Sequence, residues 1–198
     1  MRAKVIKGKT YLFKPDGVMV DGVVYISGDI DKVTGNGGTY ATKMLKDEKG
    51  GAISKDMVEG WYYFNNGARS VKGQMLTGKQ AYTTDGETYY YYFDKSTGAA
   101  LTNQVKDGVV YGDNGRRIQA DDGNANMIYE LANDEWILYK GKWIEPGSSI
   151  IVSSTGKLRT GGTVRVDGVK YVISQGAENT YSDGSKGNLW SAEEPTEE

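Results

Sequence analysis

Trp61, Tyr63, Tyr90 and Tyr92 stand in the two densest aromatic runs of the chain, Trp61-Tyr62-Tyr63-Phe64 and Tyr89-Tyr90-Tyr91-Tyr92-Phe93. Side chains alternate across a β-strand. On a strand, Trp61 and Tyr63 therefore share one face while Tyr62 and Phe64 take the other. Tyr90 and Tyr92 likewise oppose Tyr89, Tyr91 and Phe93. Aromatic faces can hold a cation by cation–π attraction or stack on the C–H face of a sugar ring. The same rings can instead pack hairpin against hairpin, which small arrays need for stability. Trp61, Tyr63, Tyr90 and Tyr92 are the candidate ligand surface, and packing is the competing use of those rings.

Other chemistry is poorly represented. The 198 residues include no histidine and no cysteine. That removes histidine-based triads, thiolate metal sites, disulfides and the commonest general base at neutral pH. Asp122-Gly123-Asn124-Ala125-Asn126 imitates the start of a calcium loop. Met127 stands where such a loop needs glycine, and Asn133 where it needs a closing glutamate, so the segment reads as an ordinary loop. Glu130, Asp134 and Glu135 beside Trp136 could form the paired carboxylates of a glycosidase. Among 26 acidic residues such neighbours arise by chance, and solvated surface is the better reading. No catalytic residue, metal or cofactor is assigned, and the chain is expected not to be an enzyme.

The elements that must carry the aromatic rings follow from composition and turns. Hydrophobic residues make up 38% of the chain, with 28 Gly, 15 Tyr and 3 Phe, which disfavours one large aliphatic core. Tyrosine suits thin hairpins, where one end of the ring is buried and the other is wet. A block of three β-favouring residues, a short turn and a glycine recurs. It is seen at Tyr11-Leu12-Phe13, Val23-Val24-Tyr25, Tyr62-Tyr63-Phe64, Tyr91-Tyr92-Phe93, Val109-Val110-Tyr111, Ile150-Ile151-Val152 and, more loosely, Val169-Lys170-Tyr171. Asp-Gly or Asn-Gly pairs occur ten times, and both tolerate the positive φ of a type I′ hairpin turn. Gly67, Gly98 and Gly115 are expected at positive φ. A helical signal at 42–54 is cut by Gly50-Gly51, and the apolar positions of 126–138 fit strands better than a helix.

The predicted fold class is all-β, an array of short β-hairpins forming an irregular β-solenoid. Residues 1–121 form the β-hairpin repeat array, 122–147 an irregular insertion or junction, and 148–187 further hairpins. Residues 188–198 form an acidic tail, expected to be disordered unless docked.

Net charge is -2, with basic and acidic residues well mixed, so neither nucleic acid nor a membrane surface is an expected partner. No apolar run is long enough to span a bilayer. The start of the chain has no apolar stretch of signal-peptide length. A signal was removed, the chain is a fragment, or it leaves the cell by another route.

Residues 60–103 read GWYYFNNGARSVKG, QMLTGKQAYTTDG and ETYYYYFDKSTGAALTN. In order they give Trp61-Tyr62-Tyr63-Phe64 before Gly67, then Val71-Lys72-Gly73-Gln74, the Asp85-Gly86 turn, Tyr91-Tyr92-Phe93 and Gly98-Ala99-Ala100-Leu101-Thr102. This stretch resembles the cell-wall/choline-binding repeats and the related Tyr-Gly glucan-binding repeats of Gram-positive surface proteins. Weaker versions run over 8–28 and 107–119.

The resemblance implies stacked hairpins with ligand sites between them, walled by aromatic rings. It implies a non-catalytic carbohydrate/cell-wall-binding repeat module that anchors a protein to the bacterial envelope or an extracellular glucan. Its location would be extracellular or the cell surface. Of the four Trp, only Trp61 falls in the repeat frame, with Thr10, Gly22, Tyr90 and Gly108 at the matching positions. The Tyr-rich repeats resemble the glucan-binding branch more closely. A cell-wall polymer or polysaccharide is thus the expected partner, with choline ranked below it, and oligomeric state is left open. The alternative is a structural or assembly protein, such as a phage-tail or surface-appendage component, using the repeats for protein–protein contacts.

Overall fold

The computed structural model describes residues 2–14, 16–26, 32–35, 38–41, 46–47, 60–67 and 70–195. These residues contain strands, turns and bends but no helix. The expected all-β class and the strands within 126–138 are what the structure has. The signal at 42–54 lies outside the described residues, apart from one short strand at 46–47. The chain forms two compact units, Met1–Leu101 and Thr102–Glu198.

In the first unit β1 (Arg2–Ile6) and β2 (Lys9–Phe13) form a hairpin. Next come β3 (Gly22–Ile26), β4 (Lys32–Gly35), β5 (Gly38–Ala41) and β6 (Lys46–Asp47). They are followed by β7 (Gly60–Phe64), β8 (Met75–Leu76), β9 (Gly78–Thr84) and β10 (Glu87–Phe93). Strand order is β2-β1-β6 in one sheet, β5-β4-β3-β7-β8 in a second, and β10-β9 in a third. The β3–β7 pair sets the site, because its antiparallel register puts Val23 opposite Tyr63 and Tyr25 opposite Trp61 on one face. On the other face Val24 and Tyr62 pack with Leu12, Ile26 and Phe64 into a buried core.

The second unit holds β11 (Gln104–Lys106), β12 (Val109–Tyr111), β13 (Asn126–Glu130) and β14 (Ile137–Tyr139). It continues with β15 (Lys142–Ile144), β16 (Ser149–Ser153), β17 (Leu158–Arg159) and β18 (Gly162–Val166). It ends with β19 (Val169–Gln175), β20 (Asn179–Thr180), β21 (Lys186–Asn188) and β22 (Trp190–Glu193). Its largest sheet runs β12-β11-β14-β15-β21-β20. Its core is aliphatic, with Ile137, Ile144, Ile150, Ile151 and Val152 fully buried against Trp190.

All seven recurring blocks lie in strands. Asp85-Gly86, Asp107-Gly108 and Asp167-Gly168 join hairpins with both residues at positive φ, the type I′ geometry. Lys7-Gly8 and Lys140-Gly141 do the same without an Asx residue. Gly98 and Gly115 have φ of 81° and 74°, as expected, but Gly67 is not in the left-handed region. There the Asn65 side chain reverses the chain instead, its Oδ1 accepting the Gly67 N–H at 2.8 Å.

Three details differ from the sequence reading. Pairing is mainly antiparallel, yet β1–β6, β11–β14 and β15–β21 pair in parallel, so strands far apart in sequence also meet. Residues 122–147, read as an irregular insertion or junction, supply β13, β14 and β15 to two sheets. Part of the 188–198 tail is docked rather than disordered. Strand β22 pairs with β19 along Val172–Gln175, because buried Trp190 anchors it in the core.

The turn after β10 is closed by Asp94. Its Oδ1 accepts the backbone N–H groups of Ser96 and Thr97, both at 2.8 Å, and the Ser96 hydroxyl at 2.5 Å. These bonds favour the carboxylate, led by the Ser96 hydroxyl, and pull Asp94 from its ordinary 3.8 to about 2. A depressed carboxylate adds stability above its unfolded pKa and loses it as pH falls through its folded one. The contribution of Asp94 should thus disappear between about pH 4 and pH 2. A carboxyl NMR titration should place the Asp94 midpoint near 2, and a midpoint near 4 would contradict this turn.

Candidate functional site

In the first unit the face of β3–β7 opposite the core of Leu12, Val24, Tyr62 and Phe64 carries aromatic rings as well. Tyr25 meets Trp61 edge-on with ring centroids 5.1 Å apart. Tyr63 meets Tyr82 at 5.4 Å and Phe93 at 6.1 Å, and Phe93 stacks with Tyr91 at 5.5 Å. The β9–β10 register sets Tyr82 opposite Tyr89, so these two rings share the face that carries Tyr91 and Phe93. Tyr63, Tyr91 and Phe93 form a buried floor, while Tyr25, Trp61, Tyr82 and Tyr89 are only half-buried around it. The Tyr63 hydroxyl donates to Asn66 Oδ1 at 2.9 Å, and burial, then Tyr82, push its pKa up. Tyr89 donates to the Glu87 carboxylate.

The four residues singled out from the sequence do not form one wall. Trp61 and Tyr63 lie on the inner aromatic face, where Tyr63 is only 7% exposed and serves as floor. Tyr90 and Tyr92 lie on the opposite face of β10, across from Ala81 and Lys79. Tyr90 is 37% exposed and Tyr92 is half-buried. The alternation was read correctly for each strand. What it could not give is which face of β10 turns toward β7. Tyr25 and Tyr82 were missed for the same reason, since only the strand register brings them beside Trp61 and Tyr63.

The second unit has an aromatic group of its own. Trp136 meets Trp143 at 6.4 Å and Tyr181 at 5.4 Å, both edge-on. Beside it lies Glu145, only 8% exposed. Its carboxylate accepts from Asn179 Nδ2 at 2.9 Å and from the Tyr181 hydroxyl. That bond, more than burial, pushes the Tyr181 pKa up. Gly187 makes room for the carboxylate, since a Cβ there would sit 3.1 Å from Glu145 Oε1 and 3.0 Å from the Trp143 carbonyl. A sequence clue existed: Trp136 and Trp143 flank Lys140-Gly141, a hairpin turn that a search for Asp-Gly and Asn-Gly overlooks.

Two carboxylates of the acidic cluster at 130–135 are engaged in hydrogen bonds. Glu130 accepts the Ser149 hydroxyl at 2.8 Å and Glu135 accepts the Tyr129 hydroxyl at 3.0 Å. Burial, then Glu135, holds the Tyr129 hydroxyl above its usual range. Among the described residues no group of acidic side chains is arranged to hold a metal ion. Among the described residues there is no helix long and apolar enough to cross a membrane.

A family model described as a putative cell wall binding repeat matches residues 5–19. Residues 5–19 are thus similar to a cell wall binding repeat. That stretch covers the end of β1, all of β2 and the turn to Met19. The resemblance to cell-wall/choline-binding repeats read from the sequence therefore stands. No curated protein matches the chain.

Among solved structures, the chain is similar to choline binding protein F from Streptococcus pneumoniae. Identity is 18% over 94% of this chain and 86% of that one, with a TM-score of 0.26. It is also similar to the modular autolysin LytC of Streptococcus pneumoniae, in complex there with a synthetic peptidoglycan ligand. Identity is 14%, coverage 94% of this chain and 34% of that one, and the TM-score 0.28. The chain thus spans about a third of the autolysin's length. Similarity to CbpJ from the same species is 18% identity, 93% and 87% coverage, and a TM-score of 0.17.

Proposed function

We propose that this chain is a non-catalytic cell-wall-binding module that attaches a protein to a bacterial envelope polymer. The observation that carries the reading is the set of half-buried rings, Trp61 with Tyr25 against it, Tyr82 and Tyr89, around the buried floor of Tyr63, Tyr91 and Phe93, on the unit that contains the matched residues 5–19. Half-buried rings over a buried aromatic floor are preorganised, so little rotamer freedom is lost when a ligand lies on them. Such a face takes sugar C–H faces by stacking and quaternary ammonium groups by cation–π attraction. The geometry gives no reason to rank a glycan ahead of choline, and both ligands belong in the test. Tyr90 and Tyr92 on the outer face of β10 form a second aromatic strip. Binding at single faces of this kind is weak, and repeated sites raise retention by effective concentration.

Surface association follows from this reading, because an envelope polymer is met outside the cell. Retention of the purified chain on isolated Gram-positive cell walls, on an α-glucan and on immobilised choline tests it. Retention on at least one matrix is expected. Passage through all three would favour a structural or assembly role for the repeats.

A further inference from the structure

The second unit contains an open groove of about 360 Å³ that the proposed wall-binding face does not use. Its volume falls within the range of small-molecule sites, about 300–1,000 Å³. Three features of its lining are chemically complementary. Tyr139 is half-buried and supplies a ring face, held edge-on by buried Trp190 at 5.7 Å; the β14–β15 register sets it beside Lys142, whereas Trp143 turns its ring to the other face of the sheet, against Trp136. Gln175 donates Nε2 to the Thr160 carbonyl at 3.1 Å. This fixes the amide and leaves the Gln175 amide oxygen and the Thr160 hydroxyl without partners among the described residues.

Charge completes the picture. Lys140 projects its Nζ over the Tyr139 ring, 5.1 Å from the centroid, and has no carboxylate partner among the described residues. Lys142, also lining the groove, shares the single carboxylate of Glu178 with Lys186. Those lysines pull Glu178 down to about 2, so it stays ionised, yet it balances only one of the three ammonium groups. Glu145, the next carboxylate along, is turned to Asn179 and Tyr181. The groove therefore combines a tyrosine ring, the hydroxyl-binding Gln175 amide and excess positive charge.

We propose that this groove binds an acidic sugar residue, a saccharide ring that carries a carboxylate or a phosphate. The ring lies against Tyr139, its hydroxyls meet Gln175 and Thr160, and its acidic group meets Lys140. The site lies wholly in the second unit and is independent of the Trp61 face.

NMR titration of the full chain with trigalacturonate, mannose phosphate and neutral galactotriose tests it. At least one acidic probe should shift the resonances of Tyr139, Lys140, Thr160 and Gln175, and galactotriose should not. A response to trigalacturonate alone identifies a carboxylate site, and a response to mannose phosphate alone a phosphate site. Lys140→Asn removes the charge while suiting the positive φ of this turn, and should weaken acidic binding about fivefold. Trp61→Ala should leave it unchanged. Equal binding of galactotriose, no response to either acidic probe, or unaltered affinity in Lys140→Asn would each overturn the proposal.

Discussion

Phe64→Ala is expected to destabilise the first unit by about 3–5 kcal/mol, the range for removing a fully buried aromatic side chain. Phe64 is 0% exposed and packs with Leu12, Val24 and Tyr62 in the buried core on the other face of β3–β7. It sits on β7, the strand flanked by β3 and β8, so little backbone can collapse into the space left behind. Urea unfolding measured by tyrosine and tryptophan fluorescence would read the loss. Tyr90→Ala on the outer face of β10 should cost much less, since Tyr90 is 37% exposed. Equal midpoints for the two variants would mean that β7 does not face its core as described.

Gly156→Ala should be the most damaging glycine change in the second unit. Gly156 has φ of +73°, and a Cβ there would lie 2.5 Å from Arg117 Cγ and 2.8 Å from the backbone oxygen of Ile118. Arg117 can swing away, but the Ile118 carbonyl cannot. The same glycine closes two backbone hydrogen bonds, donating to Ser153 O at 2.8 Å and accepting from Val110 N at 2.9 Å. Left-handed strain and overpacking together imply about 2–5 kcal/mol. Gly141→Ala is the control: φ is +78° but nothing lies within 4 Å, so only the strain of about 1–3 kcal/mol applies. A cost at Gly156 no greater than at Gly141 would refute the close approach of 117–118.

Local geometry was the legible part of this sequence. Period-two alternation sorted Trp61 and Tyr63 from Tyr62 and Phe64, and the burial of Tyr62 and Phe64 on one face agrees. Asp85-Gly86 and Asp107-Gly108 announced their hairpins because only a few residue pairs accept positive φ twice in succession. Lys140-Gly141 makes the same turn with a residue that has no special liking for it. Its cost is met by the Ile137–Ile144 pair buried in the core, a tertiary effect that no local pattern records.

The site was legible only by halves, for a related reason. Each strand declares its two faces, but which faces meet depends on pairing between strands far apart in sequence. Tyr25 reaches Trp61 through β3–β7, across 36 residues. Trp143 comes opposite Gly187 through the parallel β15–β21 pairing, across 44 residues. The acidic tail was read from its composition, and Trp190 was the one residue that outweighed it.

The measurement that most directly tests the central claim compares wall retention of the unmutated chain with two double variants of unchanged circular dichroism. One is Tyr25→Ala with Trp61→Ala, the other Tyr90→Ala with Tyr92→Ala. Each aromatic anchor contributes about 1–2 kcal/mol, so loss of two should weaken binding by roughly tenfold or more. The account predicts that removing Tyr25 and Trp61 abolishes retention on cell walls while removing Tyr90 and Tyr92 reduces it only in part. Full retention without Tyr25 and Trp61 would contradict the assignment of the inner aromatic face as the wall-binding surface.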